Sequence, residues 1–317
     1  MRRRTSLALA AACAGLPGLA IARPARAVRI GLLYPRPQQI RADEILDRLQ
    51  QHGWKRGDRF EVEWRMADTP ELLESSAAEL VRLRVDAIVT FQTPAVLAAR
   101  KATSRVPIVM AGAAVDPVSR GLAASLASPG GNVTGIVVPG ARLASKSLEL
   151  VRDLRPTRRV GVLANEADPF TPSLVQALAD AAHVLDIRLG TTYVRHRDEY
   201  AAAFTEWRAS GTDAVFVQPS LATDDAAAMA LSHRLPSFSF VRTFAQAGGL
   251  LAYAANSSEL TRRSADFVDR ILRGTDAARL PIEQATSYDL ILNLRTARAL
   301  GLSIPKLLML RATELID

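Results

Sequence analysis

Cysteine is almost missing from this chain. Cys13 is the only one in 317 residues, and it lies within an N-terminal segment that reads as removable. A mature chain starting after Ala27 then has no thiol, which excludes disulfides, cysteine nucleophiles and thiolate metal sites. Histidine is scarce too. His52, His183, His196 and His233 are far apart and show no ligand spacing, so no metal site is expected. Aromatic residues make up 5% of the chain and no long basic run occurs. Five arginines in residues 1–27, with no acid among them, account for five of the eight excess positive charges. The remaining field is weak and few rings could stack bases, so no nucleic-acid partner is expected. No G-x-G-x-x-G follows the first strand and no G-x-x-x-x-G-K-[ST] occurs, which removes the common nucleotide-binding devices. No cofactor is implied.

What is present begins with an export signal. MRRRTSLALAAACAGLPGLAIARPARA has leading arginines, an apolar stretch broken by Pro17, and small residues at Ala25-Arg26-Ala27 for cleavage. Its apolar part is short for a membrane span. Lipid attachment at Cys13 is the alternative, disfavoured because the apolar stretch continues past it. The expected location is periplasmic.

From Val28 onward, apolar strands alternate with amphipathic helices. VRIGLLY, DRFEVEWR, VDAIVTF and VPIVMAG read as strands, separated by RADEILDRLQQHG, PELLESSAAELVRLR and TPAVLAARKATS as helices. NVTGIVVP, RRVGVLA, IRLGTTYV, DAVFVQP and LPSFSF continue the pattern, with helices between them. Continuous apolar strands between helices predict parallel sheets covered on both faces. The length suits two similar α/β lobes better than one nine-strand sheet.

Ligands of such sheets gather past the carboxyl ends of the strands. The residues there are Tyr34, Gln92 with Thr93, Gly112 to Asp116 (Ala113 among them), Asn165, Ser220, and Val241 to Phe244. They bring hydroxyls, amides, rings and one charge of each sign. A Ser-His-Asp hydrolase needs a placed histidine, and none falls at a strand end. Thr93-Pro94 fits a helix N-cap and first helical position. Free backbone N–H groups at such an end hold a carboxylate, although capping alone also explains Thr93.

Several ordered segments resemble one family. They include TPAVLAARKATSRVPIV, DPVSRGLAASLASPGGNVTG, LASKSLELVRDLRPTRRVGVLAN, FAQAGGLLAYAANSSELTRRSADFVDRILRG and LILNLRTARALGLSIP. The chain is identified as a member of the ABC-transporter substrate-binding proteins of the type I periplasmic-binding fold, which include tryptophan- and tyrosine-type binders. The resemblance implies two doubly wound parallel-sheet lobes joined by a hinge. It places 28–138 plus 249–280 in an N-terminal lobe and 139–248 plus 281–317 in a C-terminal lobe, with crossings near Pro139, Gly248 and Leu280. It implies a monomer that carries a small polar solute, an amino acid or related carboxylate, to a permease in the inner membrane, with no chemistry of its own. An exported α/β enzyme or a ligand-sensing receptor domain using the same cleft are the alternatives. The chain departs from the family at Tyr34-Pro35-Arg36-Pro37, at Ala114-Val115-Asp116-Pro117 and at Ala164. These positions touch expected pocket walls, so the relatives' ligand does not carry over.

Each candidate then has two readings. Tyr34 gives an apolar wall with a polar tip or packs under its loop. Gln92 reaches across the cleft or faces water. Asp116 pairs with a ligand ammonium or caps its own turn. Asn165 and Ser220 reach the ligand from the second lobe or stabilise turns. Arg242 meets an anionic ligand group or a neighbouring acid. Phe244 and Tyr253 stack on a flat ligand or belong to the core.

Overall fold

The computed structural model describes residues 27–35, 42–55, 57, 60–67 and 69–317. The expected export signal apart from Ala27, Cys13 with it, and Arg36-Pro37 lie outside the described residues. The chain runs β1 (Val28–Pro35), α1 (Ala42–Gln51), β2 (Phe60–Ala67), α2 (Pro70–Arg82), β3 (Ala87–Thr90), α3 (Gln92–Ala102), β4 (Ile108–Ala113) and β5 (Val133–Val137). The second half opens with α4 (Gly140–Leu154), β6 (Arg159–Asn165), α5 (Thr171–Leu185) and β7 (Arg188–Val194). It continues with α6 (Tyr200–Ala209), β8 (Ala214–Val217), α7 (Asp224–Ser232), β9 (Ser237–Ser239), α8 (Arg242–Gln246) and β10 (Leu251–Ala255). Last come α9 (Ser257–Leu272), β11 (Glu283–Gln284), β12 (Tyr288–Asn293), α10 (Leu294–Ala299), α11 (Lys306–Arg311) and β13 (Glu314–Ile316).

Two sheets form. The first has the order β11-β5-β4-β3-β1-β2 and the second β13-β12-β10-β9-β8-β6-β7. Every pairing in the first sheet is parallel. In the second, β12 enters antiparallel to β10. The central strands are apolar on both faces, which suits parallel pairing under helices. Every residue of β3, β5 and β8 is buried, as strands covered by helices on both faces must be. Helix starts follow their caps. Thr69 accepts from the Leu72 N–H with Pro70 next in line, and Asn256 accepts from the Glu259 N–H at 2.9 Å. Gly135 is required where it stands. Its φ is +112°, and a Cβ there would lie 2.4 Å from the Met110 carbonyl oxygen.

The expected crossings need correction at two places. Residues 249–255 do not belong to the first lobe, because β10 pairs with β9 and β12 in the second sheet. The chain leaves that sheet only at Asn256. Helix α9 then packs on α1, β3, β4 and β5 of the first lobe. Residues 281–285 do not join the second lobe directly either, since β11 pairs with β5. The return crossing falls between β11 and β12. Leu280 instead accepts from the Thr134 hydroxyl at 2.8 Å and is buried in the first lobe. The first crossing lies between β5 and α4, at Val138-Pro139.

The later two crossings are tied together. Glu259, in the first turn of α9, accepts from the Thr286 hydroxyl at 2.7 Å, the Ser287 N–H at 2.9 Å and the Ser287 hydroxyl. Asn256 donates to both oxygens of Asp289, at 3.1 and 3.0 Å. Burial alone would raise the Glu259 carboxyl, but the hydrogen bonds from Ser287 and Thr286 outweigh it and bring the group down to about 2.

Candidate functional site

A cavity of about 940 Å³ lies where the carboxyl ends of the two sheets meet. First-lobe residues line one side and second-lobe residues the other. Tyr34, at the end of β1, stands edge-on to Trp64 and Phe91, with ring centroids 6.3 and 5.9 Å away. All three rings line the cavity. Across from them Phe170 and Phe240 meet edge to face at 5.9 Å. These two walls are apolar, and polar groups line the space between them, Gln92, Thr93, Arg242 and the acids Asp43, Glu44 and Asp168 among them.

The lobes touch beside the cavity. The Arg120 guanidinium of the first lobe donates to the Pro169 carbonyl of the second at 2.6 Å. Gly140, at the start of α4, leaves so little space that a Cβ would lie 2.7 Å from Ala114 and from Phe170.

Four of the candidate residues line this cavity: Tyr34, Gln92, Thr93 and Arg242. Thr93 does so from a different position than expected. Phe91 takes the cap position of α3 without a side-chain cap, because the helix already begins at Gln92, whose φ is +61°. Thr93 sits in the first turn and is 3% exposed. Arg242 faces the cavity at the start of α8. Its guanidinium lies 3.7 Å from Asp289 and pairs with Glu314 on β13.

The other six candidates are corrected. Ala113 is fully buried in the first-lobe core, while Ala111, Gly112 and Ala114 line the cavity. Asp116 caps its own turn, accepting from the Val118 N–H at 3.0 Å. Phe244 is fully buried in the second-lobe core and closely packed by Gly249. Tyr253 packs on Tyr288 at 5.8 Å, leaving Ala254 and Ala255 to face the cavity. Asn165 and Ser220 stand one layer back from it. Asn165 accepts from the Ala167 N–H at 3.0 Å, and the Ser220 hydroxyl donates to Asp168 at 2.9 Å.

Asp168 is the residue that strand-end inspection passes over. The strand ends at Asn165, but the loop runs on through Asp168-Pro169-Phe170 before α5 starts, so a wall residue lies three places beyond the strand. Asp168 is 7% exposed. One carboxylate oxygen accepts from the Phe170 N–H at 2.9 Å, and the other from Gln218 Nε2 at 2.8 Å and the Ser220 hydroxyl. The Gln218 amide oxygen in turn accepts from the Asn165 N–H at 2.9 Å. Burial raises the Asp168 carboxyl above the usual range despite these donors. Trp64 was hidden differently. It lies in the alternating strand EVEWR, where alternation marks a half-buried face without saying that the face borders a ligand space. Among the described residues, no group of three His, Cys, Asp or Glu could hold a metal, and no helix is long and apolar enough to cross a membrane.

Two α/β lobes with largely parallel sheets and a cavity between their carboxyl edges define the type I periplasmic fold. The family described as ABC transporter substrate binding protein matches residues 38–316. The chain belongs to that family. It is 26% identical over 265 residues to a tyrosine-binding protein of Clostridioides difficile strain R20291, covering 80% of this chain and 74% of that one. Its fold matches the structure of an ABC domain in complex with L-Trp from Streptococcus pneumonia, with a TM-score of 0.83 at 23% identity over 92% of this chain and all of the other. It also matches the ligand-free, open structure of a substrate-binding protein with adhesive properties from Clostridium difficile, with a TM-score of 0.66 at 21% identity and the same coverage. The family and these relatives are binding proteins, and the family is extracytoplasmic.

Proposed function

We propose that this chain is the periplasmic solute receptor of an ABC importer, exported by its N-terminal segment and working as a monomer. It closes its lobes over a small aromatic solute, an amino acid or related carboxylate, and presents it to an inner-membrane permease without chemical change. The observation that carries this reading is the cavity of about 940 Å³ walled by rings from both lobes. Its size is within the range of about 300–1,000 Å³ for small-ligand sites, and apolar walls with polar groups between them also suit one. The departures at Tyr34 and Ala164 argue against carrying over the relatives' ligand; the ring-lined cavity and the tyrosine binding of the Clostridioides relative support the same solute class nonetheless.

Each lobe would supply a different part of recognition. Tyr34, Trp64 and Phe91 offer a flat apolar surface from the first lobe. The N–H groups at the start of α3, beside Gln92 and Thr93, suit a carboxylate, because the helix end is partly positive. Arg242, already paired with Asp289 and Glu314, lines the opposite side. Closure would exclude water and strengthen each of these contacts. The crossings at 138–139, 256 and 286 would serve as the hinge.

Thermal unfolding in the presence of amino acids, sugars, purines and small carboxylates tests this. An aromatic amino acid present at about a hundred times its dissociation constant stabilises the folded protein by about 2.7 kcal/mol and raises the melting temperature. Stabilisation by a sugar or purine alone would refute the proposed solute class.

A further inference from the structure

The solute-receptor reading leaves open what distinguishes an amino acid from a plain aromatic acid. We propose that Asp168 is the specificity residue for the solute's primary ammonium, so that the cavity takes ammonium-bearing aromatic solutes and rejects the same solutes without the amine. This rests on the solute-receptor reading and deepens it.

The geometry is specific. Asp168 lines the cavity two residues before the ring of Phe170, next to Pro219, which also lines it. Its oxygens are fixed from two directions. The Phe170 N–H holds one, and Gln218 and Ser220, from the end of β8, hold the other. Gln218 is itself completely buried and anchored by the Asn165 N–H and by Thr171. A turn cap needs only the first of these bonds. The second set orients the carboxylate from another strand.

The chemistry points one way. A carboxylate accepts about four hydrogen bonds, and the described partners supply three, all from uncharged groups. Taking a carboxylate out of water costs more than neutral donors return, in keeping with the raised titration of this group. A cation in the cavity would restore the balance, and an ammonium fits because it donates in several directions. The rings of Phe170 and Phe240 alongside would add attraction to the same charge through their faces. Arg242 does not compete for Asp168 as the structure stands, since its guanidinium is held between Asp289 and Glu314.

The experiment compares L-tryptophan, indole-3-propionate and tryptamine by calorimetry on wild-type protein and on Asp168→Asn. For the wild type, L-tryptophan binds and indole-3-propionate binds at least about thirtyfold more weakly, the loss expected when a buried charge loses its partner. Asp168→Asn weakens L-tryptophan and tryptamine by a similar factor and changes indole-3-propionate by less than about threefold. A structural role alone would weaken all three equally, and that result would overturn the proposal. Equal wild-type affinity for L-tryptophan and indole-3-propionate would overturn it as well, and this comparison decides the matter even if the variant fails to fold. If no member of the series binds while another solute class stabilises the protein, the solute-receptor reading of the ligand fails, and this assignment with it.

Discussion

At the scale of single residues, burial separates the cavity wall from its support. Phe244 fills the second-lobe core so closely that a Cβ on Gly249 would lie 2.4 Å from its ring. Phe244→Ala should therefore cost about 3–5 kcal/mol, read from urea unfolding, by leaving a cavity that the neighbours cannot fill. A ligand role would show instead as lost affinity at unchanged stability. Phe244 was a candidate because it follows a strand end, and that rule fixes neighbourhood without direction. In a strand, successive side chains point to opposite faces. Where both faces are apolar, as in β4 and β10, the sequence does not reveal which parity looks into the cleft. Parity alone does not place Ala113 and Tyr253: Ala111 and Ala255 share their parity and do line the cavity, with the β4 register shifting between Ala111 and Ala113. That Tyr34 and Arg242 line the cavity was legible because each is a polar or amphipathic residue directly at a strand end or helix start.

Among elements, the junction around α9 controls how the lobes connect. Glu259 binds the segment before β12 through Thr286 and Ser287, with its carboxyl held near 2 against an ordinary value of 4.5. A carboxyl depressed in the folded state stabilises above its unfolded pKa and loses that contribution as pH falls through the folded one. Glu259→Gln should thus melt at a lower temperature than wild type at pH 7. The difference should shrink as pH falls from about 4.5 to about 2. Melting curves at several pH values measure it, and a constant difference down to pH 2 would mean the clasp adds nothing through its charge. The element order itself was legible from the alternation of apolar strands and helices. The exact crossings were not, because Leu251–Ala255 is an apolar strand that would suit either sheet, and only its pairing with β9 and β12 decides.

For the whole molecule, a hydrogen bond joins the two lobes beside the cavity. Arg120 donates across to the Pro169 carbonyl at 2.6 Å, a bond between groups on moving parts if the lobes hinge. Arg120→Ala should enlarge the ligand-free protein in solution scattering and leave the ligand-bound size unchanged. Affinity should fall about two- to tenfold, the worth of one such hydrogen bond. Identical scattering with and without ligand, in wild type and variant alike, would argue against hinge closure. The placement of α9 has a further consequence, for how the protein comes into being. Trp54 at the end of the α1 region donates to Asp269 at 2.7 Å, and His52 pairs with Asp266 at 3.0 Å. The lobe that is synthesised first therefore awaits residues 257–284 to cover its sheet and add its edge strand. Contacts this distant in sequence form slowly. A nascent chain would remain incompletely folded until its last stretch emerges, a state that would suit the proposed export by keeping the native shape from locking early.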